Sequence, residues 1–211
     1  MRILALDTAS DACNVALLDG DEFISDEAVI GSMHAEYLIQ QLESLRSSQD
    51  FDWKSLDKIV VTIGPGSFMG IRAGISAARG LSLALSVPLV GLSNLEALAA
   101  DAAEIENGTV LVVLDARRSE FYVQTFEACD GDVVSLNAPG LCSAEEAAEL
   151  ARESQAKIIG SGAPYIAQLI PSVKVLGVSP TPSIRGVAIR GLKIKVVSAP
   201  PSPLYIRESV C

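Results

Sequence analysis

The chain has 211 residues, of which 49% are apolar, and a formal net charge of −10 at pH 7. This composition predicts a folded chain with a sizeable core and excludes extended disorder. An acidic surface repels phosphate, so direct nonspecific binding to nucleic acid is not expected. Charged residues and prolines break the most apolar stretch, 59–98, so no membrane span is predicted.

Cysteine and histidine are too sparse for a metal site. The four cysteines form no CxxC pair and His34 is the only histidine, so we expect reduced thiols and no bound metal. The first acidic residue, Asp7, comes too early for a secretory signal, which favours a cytoplasmic location.

The N-terminal third predicts three strands and a helix. Apolar runs at 3–6 and 14–18, followed by 22–29, are typical of strands. Ser32 is a candidate N-cap, and helical spacing continues from it to about Arg46. This helix carries one mainly apolar stripe, which consists of His34, Tyr37, Leu38, Gln41, Leu42 and Leu45.

Strands and helices alternate in the next segment. A strand of the buried type at 58–63 leads into the glycine-rich loop 64–68, and a helix is predicted at 70–86. A strand at 89–92 and a helix at 94–103 continue the alternation, which predicts an α/β fold with parallel strand pairs.

The helix at 70–86 carries small side chains at helical spacing: Gly70, Ala73, Gly74, Ala77 and Ala78. Because each glycine inside a helix costs about 1 kcal/mol relative to alanine, this repetition indicates the close approach of another element. That element is either the chain's own sheet or a second protein. A second protein would contact this helix together with the helix at 32–46.

The loop 64–68 has the composition of a phosphate loop, but it lacks the Lys-Ser/Thr ending of a Walker loop. One interpretation is that the free amides of the following helix bind an anion. The other is structural: the glycines allow a sharp turn and Phe68 fills a core.

The second half repeats the opening pattern. The strand at 3–6 ends at Asp7 and the strand at 110–114 ends at Asp115, and in both cases an apolar strand resumes eight residues later. We interpret this as an internal duplication of a strand-loop-strand unit.

The rest of the second half predicts helix, strand and helix. Ser143 caps a helix at 143–153, with Glu146 at the capping-box position. A strand from 157 meets a glycine turn, and a weak helix is predicted at 183–192.

Two strand-loop-strand units indicate the actin, hexokinase and Hsp70 architecture, in which the paired loops bind nucleotide phosphates and a metal. The alternative is that the two aspartates only end strands and bond turn amides. Because the loop 115–120 contains no glycine, close approach of phosphate is hindered and a working site is not predicted. The candidate vestigial nucleotide site consists of Asp7, Thr8, Ser10, Asp115, Gly160 and Gly162.

Several segments resemble the TsaB family and occur in family order: MRILALDTASDACNVALL, IGPGSFMGIRAGISAARGLSLAL, VPLVGLSNLEALA, LDARRSEFY, IIGSGA and PLYIR. The most specific is the GPGSF-x-G-x-R-x-G block at 64–74. Met69 departs from the threonine that is usual in the family, and the second half is shorter than in many members.

The resemblance implies an α/β, actin-like ATPase fold of the ribonuclease H-like type. This fold has two duplicated subdomains, each with a mixed sheet flanked by helices. We expect the first subdomain to span 1–103, with partner-binding helices at 32–46 and 70–86. The second is expected to span 104–211, and the sequence leaves open whether its tail returns to the first.

The resemblance also implies a non-catalytic scaffold required for threonylcarbamoyladenosine (t6A) formation at adenosine 37 of tRNAs that read ANN codons. The catalytic paralogue TsaD carries metal-binding histidines in an H-x-x-x-H motif. The corresponding positions here are Asn94 and Leu98, which cannot rebuild that metal site.

The expected partners are TsaD, in a heterodimer, and the ATPase-like TsaE, with a homodimer when TsaD is missing and tRNA contacted only through the complex. No tightly bound cofactor is expected, and ATP or ADP at the interface of the complex is left open. The implied partner interface consists of Met33, His34, Tyr37, Leu38, Gln41, Leu42, Leu45, Gly70, Arg72, Ala73, Gly74, Ala77, Ala78 and Leu81.

Two enzymatic alternatives are kept. One is an active actin-fold ATPase or phosphotransferase that uses Asp7 and Asp115. The other is a peptidase acting on TsaD, with Ser10 or Cys13 as nucleophile, although the single histidine lies far along the chain and no triad can be assembled.

Overall fold

The chain forms two α/β units that share one strand order. The computed structural model describes residues 1–10, 12–29, 34–49, 52–196 and 199–206. One unit comprises Met1–Asn94 and Ser183–Leu204, and the other comprises Leu95–Pro182 with the residues from Tyr205 onward. Within the described ranges, no helix is both long and apolar enough to cross a membrane.

The first unit is a mixed sheet flanked by helices. Its described elements are β1 (Arg2–Asp7), β2 (Ala12–Asp19), β3 (Glu22–Val29), α1 (His34–Gln49), a short 3-10 helix (Trp53–Ser55), β4 (Lys58–Thr62), α2 (Phe68–Leu85), β5 (Leu89–Leu92) and α6 (Ile184–Lys193). The strand order is β3-β2-β1-β4-β5, with antiparallel pairing from β3 to β1 and parallel pairing from β1 to β5.

The second unit is built in the same way. Its described elements are α3 (Asn94–Ala103), β6 (Gly108–Asp115), β7 (Phe121–Cys129), β8 (Asp132–Ser135), β9 (Gly140–Cys142), α4 (Ala144–Glu153), β10 (Lys157–Ile159), α5 (Ala163–Leu169) and β11 (Val175–Gly177). The strand order is β11-β10-β6-β7-β8, and β9 also pairs with β7.

The second sheet reproduces the order of the first. Read from its antiparallel side it runs β8-β7-β6-β10-β11, and the β6-β10 and β10-β11 pairs are parallel. The predicted duplication and the predicted parallel pairs are therefore confirmed.

The helix that ends each repeat packs in the opposite unit. Leu95 and Leu98 of α3, which follows β5, join the core of the second unit beside Val110 and Val112. The helix α6, which follows β11, packs on β1 and β2 of the first unit. The sequence predicts one boundary after residue 103, whereas the structure divides the chain after Asn94 and adds Ser183–Leu204 to the first unit. The reason is that α3 buries its apolar face in the second unit and α6 buries its apolar face in the first.

The two helices predicted to bind a partner are present with shifted ends. The helix α2 begins at Phe68 because the hydroxyl of Ser67 caps it, accepting a hydrogen bond of 3.2 Å from the Gly70 amide. The helix α1 continues to Gln49, and the predicted N-cap Ser32 lies outside the described residues.

Candidate functional site

The aspartate that ends β1 is tied into the first unit. Asp7 is fully buried. Its Oδ1 accepts hydrogen bonds from the Thr62 hydroxyl at 2.6 Å and from the Ala9 amide at 3.1 Å. The second bond is the turn-amide contact of the structural alternative, so at least this oxygen of the carboxylate stabilises the turn.

The two hydroxyls of the following loop also bond within the protein. The buried Thr8 donates through Oγ1 to the Gly70 carbonyl at 2.7 Å, and Ser10 Oγ accepts from the Ala12 amide at 3.2 Å. A hydroxyl has one proton to donate, so in this arrangement Thr8 does not donate to a phosphate.

The glycine-rich loop closes on this first loop. A Cβ at position 66 would overlap the Ala9 carbonyl, and the Ser67 amide donates to that same carbonyl at 2.6 Å. Glycine at 66 is required for this close approach. The loop therefore clamps the backbone after β1, as in the structural interpretation of its glycines.

Phe68 does not fill a core, and that prediction is wrong. Its side chain is 52% exposed, and the Arg72 guanidinium lies 3.7 Å from its ring centre. Because α2 begins at Phe68, the ring projects from the first turn on the outer side of the helix.

The corresponding loop of the second unit is more exposed. Asp115 is exposed, its Oδ1 accepts from the Arg117 amide at 2.7 Å, and its own amide donates to Ser161 Oγ at 3.0 Å. Arg117, Arg118 and Ser119 all have positive φ, at 66°, 56° and 61°. Three successive non-glycine residues in the left-handed region form a strained turn.

Gly160 and Gly162 serve close packing in the second unit. Gly160 has a φ of +112°, and a Cβ there would overlap the Val113 carbonyl. A Cβ at Gly162 would lie 2.5 Å from Val113 Cγ1 and 2.7 Å from the Phe121 ring. These glycines lie in one unit and Asp7, Thr8 and Ser10 in the other, so a shared nucleotide site stays a prediction.

Most of the predicted stripe on α1 lies in the core of the first unit. Leu38, Leu42 and Leu45 are at most 5% exposed, and the buried Gln41 donates through Nε2 to the Cys13 carbonyl at 2.8 Å. Tyr37 is the most exposed described member, at 38%. The side chain of His34 lies outside the described residues, as does Met33, which the sequence adds to the partner interface.

The small residues of α2 divide between two environments. Gly70, Gly74 and Ala78 are buried, and a Cβ at Gly74 would overlap Thr8 Oγ1. This is the geometry of a helix packed on its own sheet. Ala73, Ala77 and Leu81 are half-buried and Arg72 is exposed. These are the α2 residues of the predicted interface that a partner could contact, and that contact stays a prediction.

The opposite side of α2 presents a surface that the predicted interface largely omits. Met69 is 70% exposed and Leu83 is 84% exposed. Together with other exposed residues at helical spacing they form what we call the outer α2 face: Met69, Arg72, Ser76, Gly80 and Leu83. The sequence signal that could have revealed this surface is the presence of apolar residues on the otherwise polar side of an amphipathic helix.

The positions that correspond to the histidine motif make structural contacts. Asn94 is buried. Its side-chain Oδ1 accepts a hydrogen bond from the Gly64 backbone amide at 3.2 Å, and its backbone amide donates to the Gly64 carbonyl at 2.9 Å. Leu98 is 1% exposed in the core of the second unit. Among the described residues, no three His, Cys, Asp or Glu side chains form a group that could hold a metal ion.

Comparison with known proteins relates most of the chain to one family. The model of the family described as TsaD: tRNA N6-adenosine threonylcarbamoyltransferase matches residues 28–200. The tRNA threonylcarbamoyladenosine biosynthesis protein TsaB of Bacillus subtilis is 33% identical over 132 residues, which cover 62% of this chain and 57% of that protein. The TsaB protein of Escherichia coli is 33% identical over 123 residues, with 58% and 53% covered.

Solved structures extend the likeness to both units. YeaZ from Pseudomonas aeruginosa has a TM-score of 0.82 at 27% identity, with 97% of this chain and 99% of that chain covered. A second P. aeruginosa structure, described as similar to peptidase YEAZ, has a TM-score of 0.83 at 27% identity, with 98% and 99% covered. The curated relatives are matched over only a little more than half of their length. With the duplicated mixed sheets, these likenesses confirm the predicted actin-like fold.

Proposed function

Because the chain belongs to the TsaB/YeaZ branch of the TsaD family, we propose that it is a non-catalytic scaffold for t6A formation on tRNA. It acts in the cytoplasm, binds the transferase TsaD and, with TsaE, supports modification of adenosine 37. Its relatives from B. subtilis and E. coli carry the name of t6A biosynthesis proteins.

The outer α2 face is the observation that carries this proposal. It exposes Met69 and Leu83 on a helix whose opposite side is packed on the sheet. Apolar side chains exposed along one helix face are typical of protein interfaces, where a few buried anchors supply most of the binding energy. A partner helix that covers this face would bury both anchors.

The non-catalytic assignment is supported by how the first unit uses its loop residues. The Thr8 hydroxyl donates to the Gly70 carbonyl, and the backbone at Ala9 is covered by the loop at Gly66. Where the resemblance aligns the metal-binding histidines of TsaD, Asn94 and Leu98 make structural contacts. These arrangements favour a scaffold over an ATPase or a peptidase.

A reconstitution with TsaD and TsaE from the same organism tests the proposal. We expect Leu83→Asp to weaken binding to TsaD about thirtyfold, which corresponds to about 2 kcal/mol, and to lower the yield of t6A. The control is Val134→Asp, because Val134 is also an exposed apolar residue, at 66%, but lies in the second unit. It should change neither quantity.

Three outcomes contradict the proposal or the interface that carries it. Equal t6A formation with and without this chain would remove the scaffold role. Modification of tRNA by this chain alone, without TsaD, would show that it is a transferase itself. Unchanged TsaD binding by both Leu83→Asp and Met69→Asp would move the interface away from the outer α2 face.

A further inference from the structure

Charge is strongly segregated along this acidic chain. No acidic residue lies between Glu153 and Glu208, whereas seven Lys and Arg residues do. Two of these, Lys157 and Lys174, form ion pairs with Glu106 in the second unit. Four others lie on α6 or just beyond it and form what we call the α6 strip: Arg185, Arg190, Lys193 and Lys195.

The α6 strip lies on the side of the helix away from the core. The other side is buried on the sheet through Ile184, Val187, Ala188 and Gly191. Arg185 and Lys193 are eight residues apart, so they share the outer side and lie about 12 Å apart along the helix axis. Both are exposed, as is Lys195, and Arg190 is half-buried at the flank.

Stabilisation of α6 itself explains only part of this pattern. Basic residues in the last turn, Arg190 and Lys193, favour the negative end of the helix dipole. Arg185 lies in the first turn, where a positive charge is unfavourable to the dipole, and its guanidinium carbon is 5.4 Å from the Phe23 ring centre. Lys195 lies beyond the helix end.

We propose that, within the complex of the proposed function, the α6 strip contacts the phosphate backbone of the bound tRNA. Lysine is depleted in the buried centre of protein interfaces, whereas Lys and Arg are the usual contacts to phosphate. A strip of about 12 Å is long enough to contact more than one phosphate of the same strand. Because most of the remaining chain is acidic, this strip also orients the RNA toward α6.

The test measures binding of a tRNA transcript, with adenosine at position 37, to the full-length chain assembled with TsaD. The affinity is measured at several salt concentrations for the parent complex and for the double variant Arg185→Gln/Lys195→Gln. We expect the slope of log affinity against log salt to fall by about 1.5, since each lost phosphate contact removes roughly 0.7–0.9. The matched control is Arg118→Gln/Arg152→Gln, which removes the same charge from exposed positions in the second unit.

The outcomes distinguish a failure of this inference from a failure of the proposed function on which it rests. A loss of slope confined to the strip variant, with TsaD binding intact, supports RNA contact. An unchanged slope, or an equal loss in the control, overturns it while leaving the scaffold role untouched. Loss of TsaD binding in the strip variant also overturns it, because the strip would then be a protein interface. If the parent chain itself fails to bind TsaD, the proposed function is contradicted and this inference with it.

Discussion

The two units use a lysine at the same topological position in different ways. Lys58 begins β4 and Lys157 begins β10, the equivalent strand of the second sheet. The Lys58 ammonium group contacts the last turn of the helix that its unit receives from the other repeat, whereas that of Lys157 contacts the Asn107 carbonyl, four residues beyond the end of such a helix. In the first unit this helix is α6, and in the second it is α3.

The surroundings of the two ammonium groups differ. Lys58 is buried, and its Nζ donates to the carbonyls of Gly191 at 2.9 Å, Leu192 at 3.2 Å and Ile194 at 3.0 Å. Burial lowers the pKa of Lys58. Lys157 is partly exposed and pairs with the Glu106 carboxylate at 2.8 Å.

Glu106, the partner of Lys157, also pairs with Lys174. Hydrogen bonds from Lys157 and then Lys174 lower the pKa of its carboxyl group. An exposed ion pair contributes little to stability, whereas buried carbonyls that lose their donor are costly. A lysine side chain at equivalent positions of the two sheets therefore stabilises the first unit strongly and the second weakly.

Removal of each ammonium group should show the largest difference in stability between the two units. We expect Lys58→Met to lower the free energy of unfolding by about 2–3 kcal/mol, because the buried Gly191 carbonyl and two part-buried carbonyls at the end of α6 lose this donor. Lys157→Met should cost less than about 1 kcal/mol. Urea unfolding followed by the fluorescence of Trp53, the single tryptophan, reports on the first unit. Circular dichroism reports on both units, so a transition that it shows and Trp53 does not belongs to the second. Equal losses from the two substitutions would remove the distinction.

A smaller loss of stability is expected from a substitution on α2 in the first unit. Gly74→Ala should lower the free energy of unfolding by about 2 kcal/mol, because the added methyl overlaps Thr8 Oγ1 in a packed core. Gly80→Ala on the same helix is the matched control, since nothing lies within 4 Å of its Cβ position. Alanine there should stabilise by up to about 1 kcal/mol. Thermal unfolding measures both, and destabilisation by both substitutions would contradict the packing account.

The thiols of the two units should differ in their rate of alkylation. Cys13 in the first unit is fully buried. In the second, burial and then the Glu146 carboxylate raise the pKa of Cys142 to about 11. Its thiolate fraction at pH 8 is then about a hundredfold below that of an ordinary thiol, so alkylation should slow by about that factor. Mass spectrometry after iodoacetamide labelling measures the rate, with the exposed Cys129 as internal reference.

The same raised pKa sets the sign of a pH effect on stability. Between pH 9 and about 11 the folded chain holds the Cys142 proton more tightly than the unfolded chain does. Its contribution to stability is therefore complete below pH 9 and is lost as the pH rises toward 11. Glu146→Gln should reduce this loss only in part, because burial is the larger cause. A rate at Cys142 that matches Cys129 would contradict the shift.

Elements with strong local signals were predictable from the sequence. The strand Leu89–Leu92 and the helix Asn94–Ala103 have the predicted ends, and the capping box of Ser143 and Glu146 is formed with bonds of 3.2 and 2.8 Å. These signals depend on residues within a few positions of one another. The elements β8, β9, α5 and β11 were not predicted, because they are three to seven residues long and depend on neighbouring strands.

The candidate site was less predictable than the fold. The stripe with Leu38, Leu42 and Leu45 indicates an apolar face, but periodicity does not tell which protein covers it, and the structure places it in the chain's own core. The packing of α3 and α6 in the opposite units could not be predicted from the sequence either. For example, Lys58 donates hydrogen bonds to α6 carbonyls more than 130 residues away. Contacts at such separation leave no local pattern.

The return of α6 to the first unit has a consequence for synthesis. The first unit consists of Met1–Asn94 and Ser183–Leu204, so about ninety residues must be translated before its last helix arrives. At 5–20 residues per second this delay is on the order of ten seconds. In the folded chain Gly191 of α6 packs against Val60 of β4. Until α6 leaves the ribosome, this helix cannot cover Val60. We therefore expect this apolar face of β4 to be exposed on the nascent chain until α6 is made, as is typical of the surfaces that chaperones bind.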